Sequence, residues 1–148
     1  MKKSSNPAQS LKTETQNTVE VAAGLVFRNG KLLITQRHTS AHLGGLWEFP
    51  GGKREPDETF EECLARELRE ELGIEVEVGK LFESVTHPYP EKTVELRFFR
   101  CRWLQNEPRA LDCLDLQWVT AAELGDYEFP EADARLLEML QSFPEIWR

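Results

Sequence analysis

Residues Gly52–Ile74 read GKREPDETFEECLARELREELGI, and this stretch decides how the rest of the chain is read. It holds eight acidic residues (Glu55, Asp57, Glu58, Glu61, Glu62, Glu67, Glu70, Glu71) against four basic ones (Lys53, Arg54, Arg66, Arg69). Asp57, placed after Pro56, is a helix-capping residue type, and Gly73 is the usual left-handed stop, so the spacing predicts a helix from about Glu58 to Leu72. At about 100° per residue, Glu67, Glu70 and Glu71 share one face, beside an apolar stripe of Leu64, Leu68 and Leu72. Carboxylates at three- and four-residue spacing repel one another by a few tenths of a kcal/mol per pair, so the cluster invites a cation, and hard oxygens select Mg²⁺ or Mn²⁺. The Gly51-Gly52 turn upstream has no side chains to shield its peptide groups, which makes the Gly51 carbonyl a candidate further ligand.

Outward from this segment, Thr18–Phe27 and Lys31–Arg37 are β-rich runs joined at Asn29-Gly30, a pair suited to the positive φ angles of a tight hairpin. A loop around His38–Gly45 leads to the short run Leu46–Phe49 and the Pro50-Gly51-Gly52 turn. Beyond the helix, Ile74–His87 and Thr93–Trp103 read as long strands linked through His87-Pro88-Tyr89-Pro90, with Leu116–Val119 as a further short strand. Thr120–Glu123 is a capping-box pattern. Glu131–Gln141 carries Ala132, Leu136, Leu137 and Leu140 at helical spacing, which predicts a closing helix. The expected architecture is α/β, a mixed sheet between helices, with residues 1–17 as a polar tail and 18–148 as one domain.

Composition narrows the class. The chain has 148 residues, 40% hydrophobic and 30% charged, with a net charge of −8 that opposes binding to a nucleic-acid polymer. The longest apolar run, Val21–Phe27, is far below the ~20 residues needed to span a bilayer, and the polar start lacks a secretory segment. Cys63, Cys101 and Cys113 suggest neither a disulfide framework nor a zinc site, which fits a reducing cytoplasm. No membrane partner is expected, and a monomer and a homodimer both stay open.

Glutamate-rich helices are often no more than solvated faces. Here, however, Gly52, Glu58, Arg66, Glu67, Leu68, Glu70, Glu71, Gly73 and Ile74 together resemble the Nudix box at every fixed position. Trp47-Glu48-Phe49-Pro50-Gly51-Gly52-Lys53, Leu33–Arg37, Trp118 and Phe129-Pro130 are similar to the MutT subfamily, so the resemblance covers about residues 18–140. It implies an α/β/α sandwich and Mg²⁺-dependent hydrolysis of a nucleoside triphosphate to the monophosphate and pyrophosphate, as in clearing oxidised nucleotides such as 8-oxo-dGTP. By the same resemblance Glu70 and Glu71 hold metal with the Gly51 carbonyl, and Glu67 is the base or a metal-bridging carboxylate. Glu58 and Arg66 would be a structural ion pair. Asp112, with Asp115 as the alternative, would complete the metal set from a remote loop. Arg37 and Lys53 would contact phosphate.

Asp133 departs from the pattern, standing where the 8-oxo-guanine-selective members carry an asparagine. An ionised carboxylate only accepts hydrogen bonds, which points toward relatives that cleave CTP, dCTP or 5-methyl-dCTP with broad specificity; protonated by burial, it would also donate. A first-turn acid favoured by the helix dipole is the simpler account of the same residue. Two readings of other classes are a nucleotide-binding module without turnover, which would not need the complete glutamate set, and a protein-contact role for an exposed Phe143–Arg148 segment.

Overall fold

A computed structural model describes residues 18–148; the expected tail, 1–17, lies outside the described residues. Strand β1 (Thr18–Arg28) turns at Asn29 (φ 54°) and Gly30 (φ 76°) into β2 (Lys31–Gln36), the left-handed pair a tight hairpin demands. Two short strands follow, β3 (Trp47–Glu48) and β4 (Gly51–Lys53), then helix α1 (Phe60–Leu72), the long strands β5 (Glu75–Pro88) and β6 (Thr93–Gln105), and β7 (Asp115–Val119). The chain closes with α2 (Ala121–Leu124), a 3₁₀ turn at Glu131–Asp133, α3 (Ala134–Ser142) and a second 3₁₀ turn at Pro144–Trp147.

The sheet runs β3-β2-β1-β6-β5, with β7 added to β2 and β4 to β1. Among the described residues only the β1–β6 contact is parallel. Strand β1 divides its pairing: Phe27 and Arg28 face β2, whereas Val21, Ala22 and Ala23 face β4. The sheet therefore opens between β2 and β4, and the functional cleft lies at that opening.

One face of the sheet packs on Leu64, Leu68 and Leu72 of α1, all fully buried with Phe99 and Cys101 beneath them. The other packs on Leu136 and Leu140 of α3, over Leu25, Ile34 and Phe98. Helix, sheet and helix make the expected α/β/α sandwich, and each fully buried leucine contributes about 1.5–3 kcal/mol of transfer free energy.

Several local expectations change. Helix α1 is capped by Thr59 rather than Asp57: Thr59 Oγ1 accepts from the Glu62 N–H at 3.0 Å and Glu62 returns a bond to the Thr59 N–H at 2.9 Å. The Glu58 carboxylate is committed elsewhere, to the Glu55 N–H and to Arg66, so the chain before Thr59 stays in a turn. Gly73 ends the helix in the left-handed conformation, as its sequence position implied. The closing helix begins three residues late, because the Asp133 N–H bonds to the Pro130 carbonyl and tightens the entry into a 3₁₀ turn. On it, Ala132, Leu136 and Leu140 are buried while Leu137 is only partly covered. The C-terminal segment is not simply exposed: Phe143 is half exposed, but Trp147 is buried, edge-on to Phe27, with its indole N–H on the Leu140 carbonyl at 2.7 Å.

Candidate active site

The cleft is built around a close approach of main chain to carboxylate. A Cβ on Gly51 would fall 1.9 Å from the Ala22 carbonyl oxygen, and one on Gly52 would fall 2.2 Å from the Glu67 carboxyl carbon. Glycine is therefore required twice, once to pair β4 with β1 and once to let Glu67 reach the turn.

Arg66 organises the acidic face of α1. It donates to Glu58 at 2.6 and 3.0 Å, to Glu67 at 3.0 Å, to Glu70 at 3.1 Å and to the Lys53 carbonyl at 3.2 Å. Hydrogen bonds from Arg66 hold the Glu58 carboxyl down to about 2, so this pair ties the loop before α1 to the helix. The three glutamates of the sequence cluster have different settings. Glu70 is exposed and turned to Arg66 at the surface, Glu67 is half-buried against Gly52, and Glu71 is buried.

Glu71 carries the strongest signature. Its Oε1 is buried with no hydrogen-bond partner among the described residues. Burial, then the charges of Glu48, Glu67 and Asp112, push its carboxyl up to about 9, against a smaller opposing effect of the Gly51 main chain. Burial likewise raises Glu67, although Arg66 opposes it. Asp112 is exposed, 3.6 Å from His38 Nε2, and its N–H donates to the Glu71 carbonyl at 3.2 Å. Asp115 sits in β7, accepting from the Leu116 N–H. Among the described residues no three Asp, Glu, His or Cys side chains converge on one metal-sized point, since Arg66 holds Glu67 and Glu70 aside.

From the Gly51-Gly52 turn a cleft of about 150 Å³ runs between β1, β6 and the closing 3₁₀ turn, lined by Arg37, Glu48, Lys53, Phe49, Phe98 and Asp133 among others. Lys53 is exposed at its rim. Arg37 donates from Nη1 to Glu48 at 2.9 Å and from Nε to the His42 carbonyl at 2.6 Å, which fixes the loop after β2. Toward the closing 3₁₀ turn, Phe49 of the cleft wall, 3% exposed, stacks on Phe129 with centroids 5.1 Å apart, which makes this side of the cleft an extension of the core. Asp133 lies at this end, 5% exposed, at the N-terminus of α3 yet with no side-chain capping bond. Burial, and secondarily the Glu48 charge, pushes it up to about 7. Asp133 stands where the helix dipole favours an acid, without a side-chain capping bond.

Glu48 is the residue that sequence reasoning quoted without assigning. It is placed between the two ends of the cleft, and its charge acts on both Glu71 and Asp133. The signal was its position between Trp47 and Phe49, on the segment that leads into the glycine turn.

Comparison with known proteins identifies the family. The NUDIX domain profile matches residues 22–139. The chain is 38% identical over 120 residues to the CTP pyrophosphohydrolase of Escherichia coli K12, covering 81% of this chain and 89% of that protein. It is 42% identical over 90 residues to the 8-oxo-dGTP diphosphatase of Proteus vulgaris, covering 60% of this chain and 80% of that protein. The crystal structure of the MutT protein from Methanosarcina mazei Go1 superposes with a TM-score of 0.76 at 25% identity, covering 83% of this chain and 92% of that one. The profile, the relatives and the glycine-turn carboxylates of α1 lead to one conclusion: the chain belongs to the Nudix family, among its MutT-like members.

Proposed function

We propose that the chain hydrolyses a (deoxy)nucleoside triphosphate to the monophosphate and pyrophosphate, with 8-oxo-dGTP as the leading substrate, in a reaction that requires Mg²⁺ or Mn²⁺. The observation that carries this reading is the setting of Glu71: a buried carboxylate with an orphaned oxygen, beside Glu67 and the Gly51 main chain, where the Gly51-Gly52 turn lines a cleft that also holds Arg37, Lys53 and Asp133. Nudix hydrolases generally depend on a divalent metal, and the donor set here, carboxylate and carbonyl oxygens, suits a hard cation. Glu71, Glu67, Glu70 and the Gly51 carbonyl would hold it, with Asp112 joining from its loop. A divalent cation held by these residues would supply charge neutralisation at phosphate oxygens and a more acidic water.

The chain's own residues supply the rest. Arg37 and Lys53 bind the negative phosphate oxygens, and Arg37 is held ready by Glu48 and the His42 carbonyl. Glu67, with its carboxyl raised by burial, takes the proton of the attacking water. Asp133 reads the edge of the base.

A second reading, a CTP, dCTP or 5-methyl-dCTP pyrophosphohydrolase, is favoured specifically by Asp133, which can accept from an exocyclic amine. The test is a turnover screen with 8-oxo-dGTP, dGTP, CTP, dCTP and 5-methyl-dCTP in Mg²⁺, following monophosphate and pyrophosphate. Release of pyrophosphate from at least one of them is expected. A folded protein that binds these nucleotides without turning any over would be a binding module instead.

A further inference from the structure

At the Arg28 end of β1 the sheet outruns the helical layer that covers it. Phe27 pairs with Arg102 across the β1–β6 contact, and Glu77 pairs with Arg102 across β5–β6, so these side chains share a face with Arg100, two residues earlier on β6. Trp147 and Arg148 of the closing turn form the opposite wall. Between them lies a second cavity of about 590 Å³, lined by Phe27, Lys80, Arg100, Arg102, Trp147 and Arg148, with Glu77 as its acidic member.

A β-bulge shapes it. The β5–β6 register slips between Val78 and Leu81, and Gly79 lies so close to β6 that a Cβ there would come within 2.8 Å of the Arg100 carbonyl oxygen. Bulges of this kind re-aim a side chain, and the re-aimed residue here is Lys80. Arg100 is fixed by donating to the Ile146 and Arg148 main-chain oxygens, with its guanidinium 4.5 Å from the Phe27 centroid. Arg102 has an exposed partner in Glu77 at 3.0 Å. The Lys80 and Arg148 side chains make no ion pair among the described residues. Arg28, although it borders the cavity, is engaged over Trp103 and Trp118 and paired with Glu107. Besides Arg28, four basic residues and one acidic residue thus line the cavity in a chain whose net charge is −8, with Arg102 paired to Glu77, Arg100 bonded to main-chain oxygens, and Lys80 and Arg148 making no side-chain ion pair among the described residues.

We infer that this cavity binds an oligophosphate anion, the class to which inorganic pyrophosphate and triphosphate belong. Several fixed cations around one hollow suit a ligand with several charged oxygens. No aromatic face is free for a base: Phe27 is covered by Arg100 and met edge-on by Trp147, whose N–H is already bonded. A nucleic-acid polymer is opposed by the acidic remainder of the surface. The inference does not rest on the hydrolytic reading.

The test uses the full chain in EDTA, which removes any divalent cation that would draw phosphate to the cleft. Inorganic tripolyphosphate is titrated into ¹⁵N-labelled protein and, in parallel, followed by calorimetry, on wild type and on the Lys80→Glu/Arg148→Glu variant. Saturable shifts are expected at the amides of Gly79, Lys80, Arg102 and Arg148, weakening as NaCl rises, with affinity at least tenfold lower in the variant and unchanged turnover of whichever nucleotide is the substrate. If the double variant melts early, Lys80→Gln carries the same comparison. Shifts centred on Arg37 and Lys53, shifts that do not saturate, or equal affinity in wild type and a folded variant would each overturn the inference.

Discussion

Arg37 and Glu48 form a half-buried ion pair across the β2–β3 contact, with Arg37 Nη1 2.9 Å from Glu48 Oε1. Burial still keeps the Glu48 carboxyl above its ordinary range, so the arginine only partly compensates for desolvation. Replacing Arg37 by Ala therefore removes the proposed phosphate contact and strands Glu48 at once. Arg37→Ala should lower kcat/KM by roughly 10- to 150-fold, the 1.5–3 kcal/mol of a charged hydrogen bond, mainly through KM. Steady-state kinetics that leave kcat/KM unchanged would remove Arg37 from the phosphate site.

Glu71→Gln should fold and lose about 100-fold or more of kcat/KM, because a neutral amide ligates a hard cation poorly. In EDTA its melting temperature should equal or exceed that of wild type, since an amide at this buried position costs less to desolvate than a carboxylate crowded by Glu48, Glu67 and Asp112. Thermal melts with and without Mg²⁺ check both halves: wild type should gain stability from the metal and the variant should not. A metal-induced shift of equal size in both would place the cation elsewhere.

For Glu67→Gln the split between parameters is the diagnostic. A proton acceptor acts in the transition state, so kcat should fall by roughly 10²- to 10⁴-fold while KM changes little. A rise in KM at constant kcat would make Glu67 a ground-state contact.

The central helix was legible because its apolar stripe, its glutamate face and its glycine stop coincide within one short segment. Its cap was less so: Asp57 and Thr59 are both capping types, and the choice depends on the Glu58 carboxylate being occupied by Glu55 and Arg66, a contact eight residues apart in the case of Arg66. Glu48 stayed unassigned because a two-residue strand has no periodicity to read. Trp147 looked exposed because its burial depends on Phe27, at the other end of the chain. The second cavity depends on a register slip in β5, which leaves only an isolated glycine as its trace in sequence.

Asp133 joins stability to base selection. Its carboxyl is pushed from an ordinary 3.8 up to about 7 by burial and by Glu48. Below pH 3.8 it is neutral in both folded and unfolded chains; from there to about pH 7 the unfolded chain ionises first, so stability is lost across that window and levels off above it. Asp133→Asn, neutral throughout, should therefore gain on wild type as pH rises from 4 to 7, by at most about 4 kcal/mol at the plateau. Denaturant melts at several pH values measure this, and parallel curves would mean that the residue is solvated in solution. The same substitution supplies an amide that both donates and accepts, so the ratio of kcat/KM for 8-oxo-dGTP to that for dCTP should rise while the metal-dependent step is untouched. Asp133→Ala should cost the preferred nucleotide roughly 1–3 kcal/mol in kcat/KM and poorer ones less, by leaving a donor on the base unpaired. If the ratio stays fixed in Asp133→Asn while the stability difference appears, Asp133 is a buried acid beside the cleft and the base is read by other groups of its wall.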